Sequence, residues 1–234
     1  TIDYPGKSMN VIDQAFMDSL DAAIARMVAD PAVKGGIVTS GKEAFVAGAD
    51  LKSMEDNLDG MTGESVEQLF DKFASLSRAV RRVETCGKPM VAAINGIAMG
   101  GGFELCLACH HRVAQASTRL GLPEVKIGVI PAVISVVCLP KLGPLHGMKL
   151  FLTGERFSGT QAVAMGFAHR AVPADQLAAT LDALHPAAGD LVALMPERSV
   201  GLAHALVGTS YERLLRSGEL PVLALPPSGQ VPPI

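Results

Sequence analysis

Two carboxylic acids stand where carboxylates are seldom found, Glu104 within GGFELCLA and Glu124 within GLPEVKIG. Glutamate is rarely surrounded by apolar neighbours without a reason. Burial raises a carboxyl pKa, and two such groups facing one substrate divide the work of general base and general acid, each contributing about 10²- to 10⁴-fold. Each also has an ordinary reading from the residues alone. Glu104 suits the first turn of a helix as a partner for its dipole, and Glu124 suits an exposed loop.

Ahead of Glu104 stand Gly100, Gly101 and Gly102, after the apolar run MVAAINGIAM. Three glycines directly before a helix let backbone N–H groups converge without side-chain obstruction, where the helix N-terminus adds partial positive charge. A second set of free N–H groups is expected from FVAGAD, where Gly48 permits another close approach. Backbone donors from two loops form an oxyanion hole, and each such donor is worth about 10²- to 10³-fold in rate.

The same stretch ends in Cys106-x-x-Cys109-His110 followed by His111, the spacing of a covalent haem attachment site. Haem attachment needs an exported protein, a flexible loop and a distant axial ligand, and none of that context is present. Phe103 to Cys109 is apolar enough for a buried helix, so packed thiols are expected, with the two histidines at the helix end to cap its carbonyls. No metal site is expected. With Cys86 and Cys138 the chain has four cysteines and opens on no secretory signal, so reduced thiols and a cytoplasmic location are expected.

The elements that must position these groups read as α/β. The chain has 234 residues, 49% hydrophobic and 18% charged, enough for one large core. A net charge of −3, 4% aromatics and no Trp argue against nucleic acid as a partner, and no apolar run reaches the ~18 residues of a membrane span. TIDYPGKSMN reads as the end of a strand running into a turn, so a first strand is expected to precede it. Phe16, Leu20, Ala23, Ile24, Met27 and Val28 share one helical face, GGIVTS is a strand, and Leu69, Phe73, Leu76, Val80 and Val83 repeat on a second helix opened by a Ser65/Gln68 capping box. MVAAINGIAM reads as one buried strand. From residue 186 to 234, proline and glycine thicken, and at most one helix is expected before an extended tail.

FVAGADLKSM, then KPMVAAINGIAMGGGFELCLA, LGLPEVKIGVIP and LTGERFSGTQAVAMGFAHRAVP resemble, in order and with matching gaps, the enoyl-CoA hydratase/isomerase (crotonase) superfamily from about residue 5 to 180. The likeness is strongest to the hydratase part of multifunctional fatty-acid oxidation proteins. It implies a crotonase-like ββα superhelix over residues 1–185, assembling into homotrimers or hexamers or forming part of a larger multifunctional β-oxidation protein. It implies an oxyanion hole from the amides of Ala49 and Gly101, an acyl-CoA site lined by Ala47, Gly48, Asp50, Leu51, Lys52 and Gly100, and catalytic roles for Glu104 and Glu124. No cofactor is implied, because the substrate itself carries coenzyme A. Family isomerases commonly keep only the later glutamate, so the presence of both favours hydration of a trans-2-enoyl-CoA. An isomerase or other acyl-CoA enzyme, and a non-catalytic acyl-CoA-binding subunit, are the competing readings.

Two departures stand out. Where the family shows a Gly-rich turn and Thr-Gln-Arg-Leu, this chain reads AVISVVCLPKL from Ala132, with Ile134 at a glycine position. No GxGxxG follows a strand, so no dinucleotide-binding half is expected within the sequence. The acyl tail is expected to meet the variable helix near Asp56 to Leu69 and the atypical C-terminus.

Overall fold

The computed structural model describes residues 1–50, 65–128, 135–181 and 191–193. Asp13 accepts the Phe16 N–H at 2.9 Å and opens α1, Gln14–Ala29. Its buried face carries Phe16, Ala23, Ile24 and Met27. Val28, expected on that face, is 45% exposed, because it falls at the edge of the stripe in the last turn. The other end of α1 is held by Lys88, whose Nζ donates to the carbonyls of Met27, Asp30 and Val33.

Strand β1, Gly35–Val38, follows, then α2, Val66–Thr85, with the expected reciprocal capping box between Ser65 and Gln68. Val80 and Val83 of α2 are buried and Leu76 packs against the same core, while the side chains of Leu69 and Phe73 lie outside the described residues. The run read as one strand is two, β2 (Met90–Ile94) and β3 (Ala98–Met99). A close approach makes the break: a Cβ on Gly96 would fall 1.7 Å from the Glu43 carbonyl oxygen, so only glycine lets this backbone cross the 41–44 loop. Asn95 fastens the crossing by donating to the carbonyls of Ser40 and Lys42.

After β3 come α3 (Gly101–Ala108), β4 (His111–Gln115), β5 (Arg119–Gly121), a 3₁₀ turn at Glu124–Ile127 and α4 (Ser135–Thr153). Then follow β6 (Arg156–Ser158), α5 (Gly159–Ala164), β7 (Arg170–Val172) and β8 (Leu191–Ala193). Helix α4 carries Pro140 and Pro144 and breaks at Gly143, where φ is 69°. The strands form a parallel sheet ordered β7-β4-β2-β1-β8 and a smaller one ordered β3-β5-β6. In the units β2-β3-α3 and β4-β5-α4 the first strand joins the large sheet and the second the small one. Burial of β2 on both faces explains its unbroken apolar run. Three residues from the segment beyond 185, those of β8, pair with β1. The segment Ala132 to Ile134, the side chains of Ser135 to Cys138, residues 56–64 and the rest of the chain beyond 193 lie outside the described residues.

The histidines after α3 do not cap it. His110 Nδ1 accepts the Met90 N–H at 3.0 Å, and His111 opens β4 with its ring stacked on His169, centroids 4.0 Å apart. Longer side chains take the capping place: Lys141 Nζ donates to the Leu107 carbonyl and Arg112 Nη1 to that of Cys109, both at 2.5 Å. Burial first, then the neighbouring His169 and arginines, pushes His111 down to about 4, and burial lowers His169 as well. Both groups therefore take protons more readily unfolded, so their share of stability is complete above about pH 6.5 and is lost as pH falls toward 4. Thermal denaturation followed against pH is expected to show this slope, and His111→Phe is expected to flatten it. An unchanged slope in that variant refutes the assignment.

Candidate active site

Helix α3 starts at a glycine because nothing else fits. Gly100, its N-cap, has φ 50° and ψ −127°, and a Cβ there would stand 2.7 Å from Glu124 Oε1. Gly101 and Gly102 do not precede the helix, as the sequence suggests, but form its first turn. Gly100 donates its N–H to the Gly121 carbonyl at 3.0 Å. As the first helical residue, Gly101 has an N–H with no acceptor inside the helix. A Cβ on Gly102 would fall 2.1 Å from the Val46 carbonyl oxygen, so the start of α3 lies directly on the 46–49 strand.

That strand presents the second amide. Val46 bridges Ala98 in parallel, and three residues further along Ala49 bridges Ile12 in parallel. There Ile12 donates to the Gly48 carbonyl at 2.9 Å and accepts from the Asp50 N–H at 3.0 Å. A residue flanked in this way in a parallel ladder turns its own N–H away from its partner, and among the described residues nothing accepts that of Ala49. Gly48 makes the bend, with φ 110° and space for a Cβ only 3.0 Å from the Met99 carbonyl oxygen.

The two carboxyl groups converge on this turn. Glu104 is 2% exposed, and its Oε2 would lie 3.5 Å from a Cβ on Gly101. Glu124 is half-buried at the head of the 3₁₀ turn, its Oε1 at Gly100 and its Oε2 buried with no hydrogen-bond partner among the described residues. Neither is the solvated carboxylate of the ordinary reading. Burial, then the charge of Glu124, holds the Glu104 carboxyl well above the usual range, and burial raises Glu124 too. Two carboxyls raised by burial beside the same glycine turn have the chemistry to divide accepting and donating a proton between them. Ile12 and Leu76 close the recess, their methyl carbons 2.9 and 3.7 Å from the Cβ position of Gly101.

The remaining expected residues divide. Ala47 lies beside the site with its N–H given to the Asn10 carbonyl at 2.8 Å, and the Asp50 carboxylate pairs with Lys7 at 2.5 Å. Leu51 and Lys52 lie outside the described residues. Lys7, which also stands 4.7 Å from the centre of the Tyr4 ring, was not legible because it reads as a turn lysine. Asn10, fully buried, was missed for the same reason. The Cys106 and Cys109 thiols donate to the carbonyls of Gly102 and Leu105 and are packed core, the Cys109 thiol pushed up to about 12 by burial. Among the described residues no cluster of three or more His, Cys, Asp or Glu is placed to hold a metal ion.

Comparison with known proteins adds an independent line. A family model described as enoyl-CoA hydratase/isomerase matches residues 2–211. The chain is 38% identical over 181 residues to the fatty acid oxidation complex subunit alpha of Idiomarina loihiensis, covering 74% of this chain and 24% of that one. With the subunit of the same description from Pseudomonas syringae pv. tomato it shares 37% over 187 residues, 79% of this chain and 25% of the other. The chain thus spans about a quarter of the length of these relatives. Among solved structures, the enoyl-CoA hydratase of Bacillus anthracis superposes with a TM-score of 0.67 at 28% identity, covering 79% of this chain and 74% of that one. The hydratase of Mycobacterium smegmatis, at 23% identity over 74% of this chain and 65% of its own, has the same TM-score of 0.67 and bears on the fold alone.

Proposed function

Since this chain belongs to the enoyl-CoA hydratase/isomerase family and has the crotonase fold, we propose that it adds water to a trans-2-enoyl-CoA in fatty-acid oxidation, giving the 3-hydroxyacyl-CoA. The observation that carries this reading is the pair of raised carboxyls at Glu104 and Glu124 beside a helix start whose first N–H has no acceptor among the described residues. The thioester carbonyl oxygen accepts from the amides of Ala49 and Gly101, drawing electron density from the double bond. The ionised carboxylate takes a proton from water as the water oxygen bonds to the β-carbon. The protonated carboxyl gives its proton to the α-carbon, and one water has been added in all. Exchange of one proton between the acids then restores the starting state. A double-bond isomerisation needs only one shuttling acid, so a second raised carboxyl favours hydration.

Residues 1–185 form the catalytic unit on this reading, with Gly48, Ala47, Asp50, Leu51, Lys52 and Gly100 along the acyl-CoA. The chemistry draws on no cofactor beyond the substrate's own coenzyme A. The relatives' length supports a place in a larger multifunctional protein. Trimers or hexamers are supported by the exposed apolar side chains of Leu145, Met148 and Leu152 on α4, a stripe of the kind that marks association surfaces. No described helix is long and apolar enough to cross a membrane, and among the described residues Cys86, Cys106 and Cys109 are free thiols, in keeping with a reducing cytoplasm. Crotonyl-CoA is expected to lose its enoyl-thioester absorbance on addition of the protein, with the product heavier by one water. Binding of the thioester without turnover overturns the reading in favour of a non-catalytic acyl-CoA-binding subunit, and a shifted double bond without added water favours an isomerase.

A further inference from the structure

We propose that Asn10 is a positioning residue that sets the Ala49 amide of the oxyanion hole, an inference that rests on the hydratase reading of the site. Asn10 has no exposed surface, yet its side chain reaches four separate places. Its Oδ1 accepts the Tyr4 N–H at 2.8 Å, and the two N–H groups of its Nδ2 are shared among Ser40 Oγ (2.8 Å) and the carbonyls of Phe45 (3.0 Å) and Ile2 (3.1 Å). Ser40 in turn donates to the Ala44 carbonyl at 2.6 Å and accepts the Lys42 N–H at 2.9 Å. One amide therefore gathers the chain start and the whole 40–45 loop.

The backbone of the same residue begins the clamp on the catalytic strand. The Asn10 carbonyl accepts the Ala47 N–H, and two residues later Ile12 holds Gly48 and Asp50 on either side of Ala49. The direction of the Ala49 N–H is set by this three-bond ladder, and the ladder stands where the Asn10 side chain anchors it. A buried amide with every polar atom paired has no low-energy alternative arrangement, because any movement strands donors away from water. Asn10 touches neither carboxyl in the set of contacts it makes, so it acts through Ala49 and not on the substrate.

The test uses the full chain and a push–pull chromophoric substrate analogue, 4-(dimethylamino)cinnamoyl-CoA, whose absorbance moves to longer wavelength when its carbonyl is polarised. With the wild-type protein a red shift is expected on binding. Asn10→Ala is expected to lose most of that shift and to lower kcat for crotonyl-CoA by about 10²-fold, the cost of an oxyanion donor misplaced by about 1 Å, with KM changed less than about threefold. Ser40→Ala, which removes a single acceptor of the Asn10 amide, is expected to lose part of the shift and supplies the reading if the alanine variant at 10 does not fold. A purely structural residue would lower thermal stability and leave the shift and kcat of folded protein intact, and that result in the folded variants overturns the proposal. Absence of a shift in the wild type refutes the hydratase reading itself, and this inference with it.

Discussion

Glutamine at position 104 or 124 is expected to lower kcat for crotonyl-CoA hydration by about 10²- to 10⁴-fold, the ordinary contribution of one positioned acid or base, with little change in KM. The two losses do not add, because a single remaining carboxyl can neither accept and donate in one step nor share a proton with a missing partner. Glu104→Gln has a second expected result. The folded protein holds the Glu104 carboxyl above its unfolded value of about 4.3, so this group stabilises the fold most below that pH and loses its contribution as pH rises through the folded pKa. At neutral pH the wild type accordingly carries the cost of a buried acid beside a second carboxyl, and the neutral amide removes it. Thermal melts are expected to show the variant above the wild type at pH 7, by roughly 2–4 °C for each kcal/mol relieved, with the gap closing near pH 4. A variant that keeps wild-type turnover removes Glu104 from the mechanism. Turnover against pH is expected to be bell-shaped, falling on the acid side when both acids are protonated and on the alkaline side when their shared proton is lost.

Gly102→Ala is expected to be the most damaging one-carbon change near the site. Its added methyl would meet the Val46 carbonyl oxygen at 2.1 Å and the Val46 carbonyl carbon at 2.8 Å, backbone atoms that cannot rotate aside. Overpacking of this kind costs about 1–3 kcal/mol or more, and relief requires α3 and the 46–49 strand to separate. Those are the two elements that carry Gly101 and Ala49, so both amides leave register together. Urea denaturation is expected to show the stability loss and crotonyl-CoA assays a fall in kcat of about 10²-fold or more. Gly166→Ala is the control: Gly166 has φ 80° and nothing within 4 Å of its Cβ position, so the substitution costs only backbone strain, of order 1 kcal/mol, and leaves kcat alone. Wild-type kcat in Gly102→Ala is incompatible with the close contact of α3 and Val46 as the support of the site.

Much of the architecture is legible in linear order because it depends on local periodicity. The Ser65/Gln68 box, the α1 stripe and the unbroken apolar β2 each follow from residues within a few positions of one another. The division of MVAAINGIAM into two strands in different sheets is not of that kind. Nothing beside Gly96 announces that the Glu43 carbonyl passes 1.7 Å from its missing Cβ. The histidines after α3 mislead for a related reason: the groups that cap the helix, Lys141 and Arg112, come from α4 and β4.

What the sequence by itself determined is which side chains are candidates for proton transfer and which glycines leave room beside them, since side-chain chemistry and backbone freedom are properties of single residues. Only the tertiary structure decided that Glu104 and Glu124, on different elements, share one recess, and that Asn10 ties the chain start to the strand bearing Ala49. Shared burial and mutual charge exist only between groups that folding brings within a few ångströms, and no spacing along a chain specifies that distance.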